Sequence, residues 1–221
     1  MNNIINSNGK MIKTGQIFIV SAPSGSGKTT LVKNLLAKDE DLEFSVSYTT
    51  RPPRGKEKSG TEYVFVSEKI FQSMIIEDKF LEYAKVFDHY YGTFNQYVEK
   101  KIAEGKDLVL DIDTNGAEQV KSRLPDAVSI FVMPPSYIAL KKRLEKRQLD
   151  SAETIRKRLE WASYKEIYQF CNYDYVVIND NLTQSVDQMH CIVRAERSRQ
   201  KNLRHQIKLI IDSFGGHSIG K

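Results

Sequence analysis

The segment Ala22-Pro23-Ser24-Gly25-Ser26-Gly27-Lys28-Thr29-Thr30 constrains the fold of this chain more than any other stretch. It follows a short β-branched run, Gln16-Ile17-Phe18-Ile19-Val20, and precedes Leu31, Leu35 and Leu36 at helical spacing, so it joins a strand to a helix. A glycine-rich turn running into a helix N-terminus gathers backbone N–H donors around one point and adds the positive end of the helix dipole, which suits a polyphosphate. In such a loop Lys28 reaches the β- and γ-phosphates and Thr29 holds Mg2+ through its hydroxyl. Ala22 stands where the general motif has glycine, and a plain serine/glycine connector is the alternative reading. The Gly-Lys-Thr ending on a strand, turn and helix favours nucleotide binding.

Further apolar runs at 108–112, 128–133 and 175–178 alternate with helical patterns carrying Ala117 and Val120, then Leu140 and Leu144. Such alternation argues an α/β fold, a parallel sheet covered by helices. Residues 48–95 read differently: a Pro/Arg/Gly-rich loop, a short strand around 63–66, a helix with Phe71, Met74 and Ile75, and an aromatic segment through Tyr90-Tyr91-Gly92, together an inserted subdomain. The charged stretch 145–158 lacks apolar content until Ile155 and suits a mobile segment over a site. Val186, Met189 and Val193 mark an amphipathic helix. Leu203, Ile207, Ile210 and Phe214 continue helical spacing in a basic tail, 200–221, expected to dock on the body or on a second subunit of a homo-oligomer. Residues 1–14 are expected to form a flexible tail.

Length and composition narrow the class. A chain of 221 residues, 40% hydrophobic and 28% charged, can bury one sizeable core and reads as one globular domain with insertions. No run approaches the roughly eighteen apolar residues of a membrane span, and the N-terminus lacks the apolar block of a signal peptide, so no membrane and a cytoplasmic address are expected. Cys171 and Cys191 lack metal-ligand spacing and are expected to be reduced, partly buried thiols. The net charge of +5 is dispersed except around 141–158 and 194–208, which fits a phosphate-rich small ligand without nucleic acid.

From Ser45 to Arg54 the chain sets Arg51 and Arg54 on a loop stiffened by prolines. Guanidinium forks clamp phosphate, although two loop arginines taken alone also read as solvated charges. The series decides. Ser47-x-Thr-Thr-Arg51-x-Pro-Arg54, then Gly-Thr-Glu-Tyr63, Phe-Leu-Glu82-Tyr-Ala, Tyr-Tyr91-Gly-Thr93 and Leu-Asp111-Ile-Asp113 resembles the guanylate kinase family in order and spacing, over residues 16–199.

That resemblance implies a P-loop NTPase core with a five-stranded parallel sheet flanked by helices (15–47 and 96–199), a mixed α/β GMP-binding insertion (48–95) and a helical lid (145–158). It implies transfer of the γ-phosphoryl group of ATP to GMP with Mg2+. Arg51, Arg54, Tyr63 and Tyr91 look like the clamp on the GMP phosphate, and Ser47, Glu82, Thr93 and Asp111 like the guanine pocket. Asp113 would lie near Mg2+ and the reacting phosphates, within reach of GMP, and Thr29 would share the metal. Arg143, Arg147 and Arg158 would close over the ATP phosphates, with Lys146 and Gln148 standing where the family has glycines, and Asn179 would lie near the adenine. Lys28, Arg51, Arg147, Arg158 and Asp113 would carry the transfer. Guanine offers its N1 and N2 hydrogens as donors and calls for a carboxylate acceptor such as Glu82, whereas adenine would leave that charge unpaired. Trp161, Tyr164 and Tyr168, at helical spacing, read as helix-face packing rather than a stacking platform, and His89 as a surface histidine.

Two other classes compete. Guanylate-kinase-like interaction modules commonly lose the loop lysine or the acceptor carboxylate, but Lys28, Thr29, Glu82, Asp111 and Asp113 are all present. A kinase of another small phosphate would share the ATP half and differ at Arg51, Arg54, Tyr63 and Glu82.

Overall fold

The computed structural model describes residues 15–86, 88–146 and 152–215; the expected N-terminal tail, Arg147 and Gln148 lie outside them. Strand β1 (Ile17–Ser21) runs through the middle of a five-stranded parallel sheet. Its neighbours are β7 (Asp107–Asp111), with β2 (Leu42–Phe44) beyond it, and β8 (Val128–Met133), with β9 (Tyr175–Ile178) at the far edge. Alternation along β1 assigns the two faces. Phe18 and Val20 meet α1 (Lys28–Lys38) and α7 (Leu182–Arg197) through Leu31, Leu35, Met189 and Val193. Ile17 and Ile19 meet α3 (Asn95–Ala103) and α4 (Thr114–Arg123) through Val98, Ala117 and Val120. With both faces covered, the strands carry the unbroken apolar runs seen in the sequence.

The 48–95 region builds a second sheet from β3 (Tyr48–Thr49), β4 (Val64–Phe65), β5 (Phe80–Val86) and β6 (His89–Phe94), in the order β4-β3-β6-β5. Helix α2 (Glu68–Ile76) starts where Ser67 accepts the Ile70 N–H at 3.3 Å, and it presses Phe71 onto Phe80 and Tyr90 at ring separations of 4.4 and 5.5 Å. This small core is tied to the main one through β5 and α4. Leu81 of β5 packs into the main core beside Val98 and Val120, and Gln119 of α4 exchanges hydrogen bonds with the backbone of Tyr83 at 3.2 and 2.8 Å. That exchange satisfies an edge that would otherwise be open to another strand.

Helices α5 (Tyr137–Lys146) and α6 (Ala152–Trp161) share a third cluster of Leu140, Leu144, Leu159 and Ala162, with Ile155 against it. Of the described part of the charged segment, Ile155 joins this packing. After α6 come a π turn, Ala162–Glu166, and a 3-10 turn, Ile167–Asn172. Helix α8 (Gln200–Ser213) is tied to the body by Lys201–Asp126 at 2.8 Å and by Asn202 on the Glu196 carbonyl at 2.7 Å, yet leaves Leu209, Ile210 and Phe214 exposed. Cys171 and Cys191, expected to be partly buried, are free and exposed because both sit on the solvent side of their helical turns.

Arg197 clasps the end of the sheet opposite the glycine loop. Its guanidinium meets Asp107 at 2.6 Å and Asp39 at 2.7 Å, and both carboxylates are buried. Arg197→Ala leaves two buried charges without their main partner and should lower stability by about 3–5 kcal/mol. A urea titration should show the midpoint fall.

Candidate active site

The glycine loop leaves β1 and enters α1 through two residues in left-handed conformation, Gly25 at φ 93° and Gly27 at φ 92°. A side chain at Gly27 would also stand 2.5 Å from the Asn179 amide, so glycine is required there on two grounds. That amide donates to the Ser26 carbonyl at 2.7 Å, and Arg143 donates to the same carbonyl at 3.1 Å and to the Asn179 carbonyl at 2.7 Å. Asn179 and Arg143 thus brace the back of the loop. The Arg143 guanidinium, expected over the donor phosphates, donates in this structure to the Ser26 and Asn179 carbonyls.

On the open side, Lys28 Nζ lies 2.6 Å from Asp111 Oδ1 and donates to the Ile112 carbonyl at 2.7 Å. The Thr29 hydroxyl donates to Asp111 Oδ2 at 3.3 Å. Asp113, two residues on, has turned away to cap α4 and accepts the Gly116 N–H at 2.8 Å. The strand end aims Asp111 at the Thr29 hydroxyl, whereas Asp113, the expected metal partner of Thr29, accepts from the head of α4. Among the described residues no cluster of three His, Cys, Asp or Glu could cage a metal unaided. Two hard oxygens side by side do fit Mg2+, which takes one or two protein ligands and completes its octahedron with water and phosphate.

Across the cleft, Glu82 is 3% exposed, with Oε1 accepting the Thr93 hydroxyl at 2.6 Å. Burial, reinforced by nearby Asp113, pushes its carboxyl up to about 7 against the pull of Thr93. Gly116 leaves room for Glu82 Oε2, since a Cβ there would collide with it. Ser47, Tyr63 and Tyr91 line the same wall. Burial and the charge of Asp111 push the Tyr63 hydroxyl up to about 12.

Arg51 is buried rather than open to the cleft: its guanidinium lies 5.2 Å from the Tyr63 ring and grips Glu57 with two bonds of 3.0 Å. The Arg51 guanidinium holds the Glu57 carboxyl below the usual range, and Glu57 also accepts the Arg54 N–H at 2.7 Å. Arg54 and Thr30 are exposed.

One cleft of ≈ 780 Å³ brings together Ala22 to Thr29, Ser47, Tyr63, Glu82, Tyr91, Asp111, Asp113 and Arg158. Arg51, Arg54, Thr93, Arg143 and Asn179 stand behind or beside it rather than along it. Sequence reasoning missed Lys85, Asn115, Lys165, Glu166 and Gln169 on its walls. It also misread Trp161, Tyr164 and Tyr168, which are exposed rather than packed; Trp161 edges the cleft with Lys165 4.3 Å above its ring.

A glycine-rich loop at a helix N-terminus on one wall and a buried carboxylate on a separate small sheet opposite line one cleft. That is the architecture of the P-loop nucleoside monophosphate kinases. Comparison with known proteins narrows the class. The sequence model of the family described as guanylate kinase matches residues 14–196. The guanylate kinase of Koribacter versatilis is 46% identical over 225 residues, covering 91% of this chain and 96% of its own. That of Neisseria meningitidis serogroup A is 49% identical over 191 residues, covering 85% and 93%. The crystal structure of guanylate kinase from Anaplasma phagocytophilum superposes with a TM-score of 0.74 at 31% identity, covering 93% of this chain and 98% of that one. The chain belongs to the guanylate kinase family.

The raised Glu82 carboxyl makes stability depend on pH. Its proton is bound more tightly folded than unfolded, so its contribution is full below the unfolded value of 4.5 and is lost as pH rises through about 7. Denaturation series across that window should show wild type losing up to about 3 kcal/mol that Glu82→Gln does not lose.

Proposed function

We propose that this chain transfers the γ-phosphoryl group of ATP to GMP, giving ADP and GDP, and that it does so in the cytoplasm. The observation that carries the reading is Glu82, a buried acceptor held by Thr93 on the wall facing the glycine loop. Guanine presents two adjacent donors to such a group, and binding them favours its ionised form. Ser47 and Asp113 stand beside it to complete the guanine contacts, and this shifts Asp111 from the guanine pocket to the donor side. Two free, exposed thiols suit a reducing compartment, and no described helix is long and apolar enough to cross a membrane.

The chain's own groups account for the chemistry. Amides of 24–29 and the helix dipole of α1 receive the donor phosphates, and Lys28 exchanges its bond with Asp111 for one to the transferring group. Thr29 and Asp111 would hold Mg2+, which when bound would neutralise phosphate charge. Tyr63 and Tyr91 donate their hydroxyls to the GMP phosphate. Arg51 joins them from behind the Tyr63 ring, oriented by Glu57, and Arg54 closes from the exposed side. Arg158 reaches over the transferring group from the opposite wall, Asn179 and Arg143 keep the loop in shape, and water is excluded as the walls approach. Retention of Lys28 and Asp111 in mutual contact disfavours a pure interaction module, which needs neither.

A coupled assay offering ATP with GMP, AMP or UMP tests the reading, and equal turnover of AMP would overturn it. Glu82→Gln should lower kcat/KM for GMP by on the order of a thousandfold with little change in ATP affinity. Gly116→Ala, which crowds Glu82 while favouring the helix, should raise KM for GMP about tenfold and leave the melting temperature nearly unchanged.

A further inference from the structure

Glu166 has no part in the chemistry above, yet its carboxylate Oε2 accepts the backbone N–H of Ser24 at 3.2 Å, across 142 residues of chain. It closes the π turn Ala162–Glu166, where one extra residue per turn re-aims the side chains that follow α6, and such turns concentrate at functional sites. It lines the same cleft as Lys28 and Thr29. A carboxyl oxygen of the protein's own therefore already accepts from an amide of the loop suited to anions.

The surroundings make this contact costly to keep once a nucleotide arrives. Lys28 on α1 and the Ser24 amide favour the charged carboxyl, while burial and Asp113 at the head of α4 oppose it, and the net effect raises it from its ordinary value. Tyr173, beyond the 3-10 turn, faces it as a further titratable group, Arg158 lines the same wall one helix upstream, and the neighbouring Lys165 lies over the Trp161 ring. A polyphosphate entering beside an ionised Glu166 meets like charge at close range in a partly dehydrated site, where screening is weak.

We propose that Glu166 is an internal stand-in for a donor phosphate oxygen: it holds Ser24 in the nucleotide-free protein and competes with ATP for the loop. It is a positioning residue that sets donor affinity and leaves the acceptor site alone. The inference rests on the donor-loop reading of 22–29 given above.

Calorimetric titration of the full chain with ATP and Mg2+, without GMP, tests it. Glu166→Gln keeps the shape and removes the charge; Glu166→Ala removes both, so a folding failure of one variant leaves the other to decide. Both should bind ATP about tenfold more tightly than wild type, the worth of one charge-assisted hydrogen bond. GMP affinity should stay within about twofold. The gain should narrow at acid pH, where the wild-type carboxyl carries its proton; comparing variants with wild type cancels the nucleotide's own titration. A merely structural Glu166 would give weaker or unchanged ATP binding in the folded variants, and that result would overturn the inference. Wild type that bound no ATP would instead overturn the donor-loop reading and this inference with it.

Discussion

In the ladder between β1 and β7, Val20 stands beside Asp111, so the carboxylate arrives at the strand end level with the start of the glycine loop. Lys28, one turn further on, then finds Asp111 at 2.6 Å and the Ile112 carbonyl at 2.7 Å. A register slip of one residue would send Asp111 to the opposite face, into the layer occupied by Ala117 and Val120, and leave the lysine facing an apolar side chain. Ser21 pins the arrangement by donating its hydroxyl to the Ile112 carbonyl at 2.9 Å. The chemistry of the loop thus depends on backbone pairing among residues that take no part in it.

Charge in this protein is arranged before any ligand arrives. Lys28 is matched by Asp111, Arg51 by Glu57 and the Ser24 amide by Glu166, each pair at a place where phosphate oxygens are expected. Such pairing keeps cationic groups from standing buried and alone, which would be costly. It also fixes their orientation, so that a substrate exchanges partners with groups already near their working positions and little ordering entropy is lost on binding.

The glycine loop was legible in the sequence because its function requires glycine twice and lysine once at fixed offsets; the strand at 128–133 was legible because both of its faces are buried, and that at 175–178 because its run is short, apolar and β-branched. The three-residue β2 was not, since Leu42–Phe44 is too short to show a period. Helix α3 follows Phe94 without a capping side chain and so offers no start signal. Asp111 and Asp113 could not be told apart from spacing: only the end of a strand and the start of a helix, two residues apart, decide which way each points. The stripe of Trp161, Tyr164 and Tyr168 fits a buried helix face as well as an exposed one, and the π turn beginning at Ala162 breaks the spacing from which a face is inferred. Glu166 reads in sequence as an ordinary solvated glutamate; its significance comes from a contact 142 residues away.

Trp161 is the sole tryptophan of the chain, and it stands half-exposed where the wall carrying Lys85 and Val86 faces α6. An ammonium group rests on its ring. Indole emission is sensitive to local charge and hydration, and here it originates at a single position on the rim. The protein consequently contains its own optical gauge of how far the two walls stand apart, readable in solution without a label.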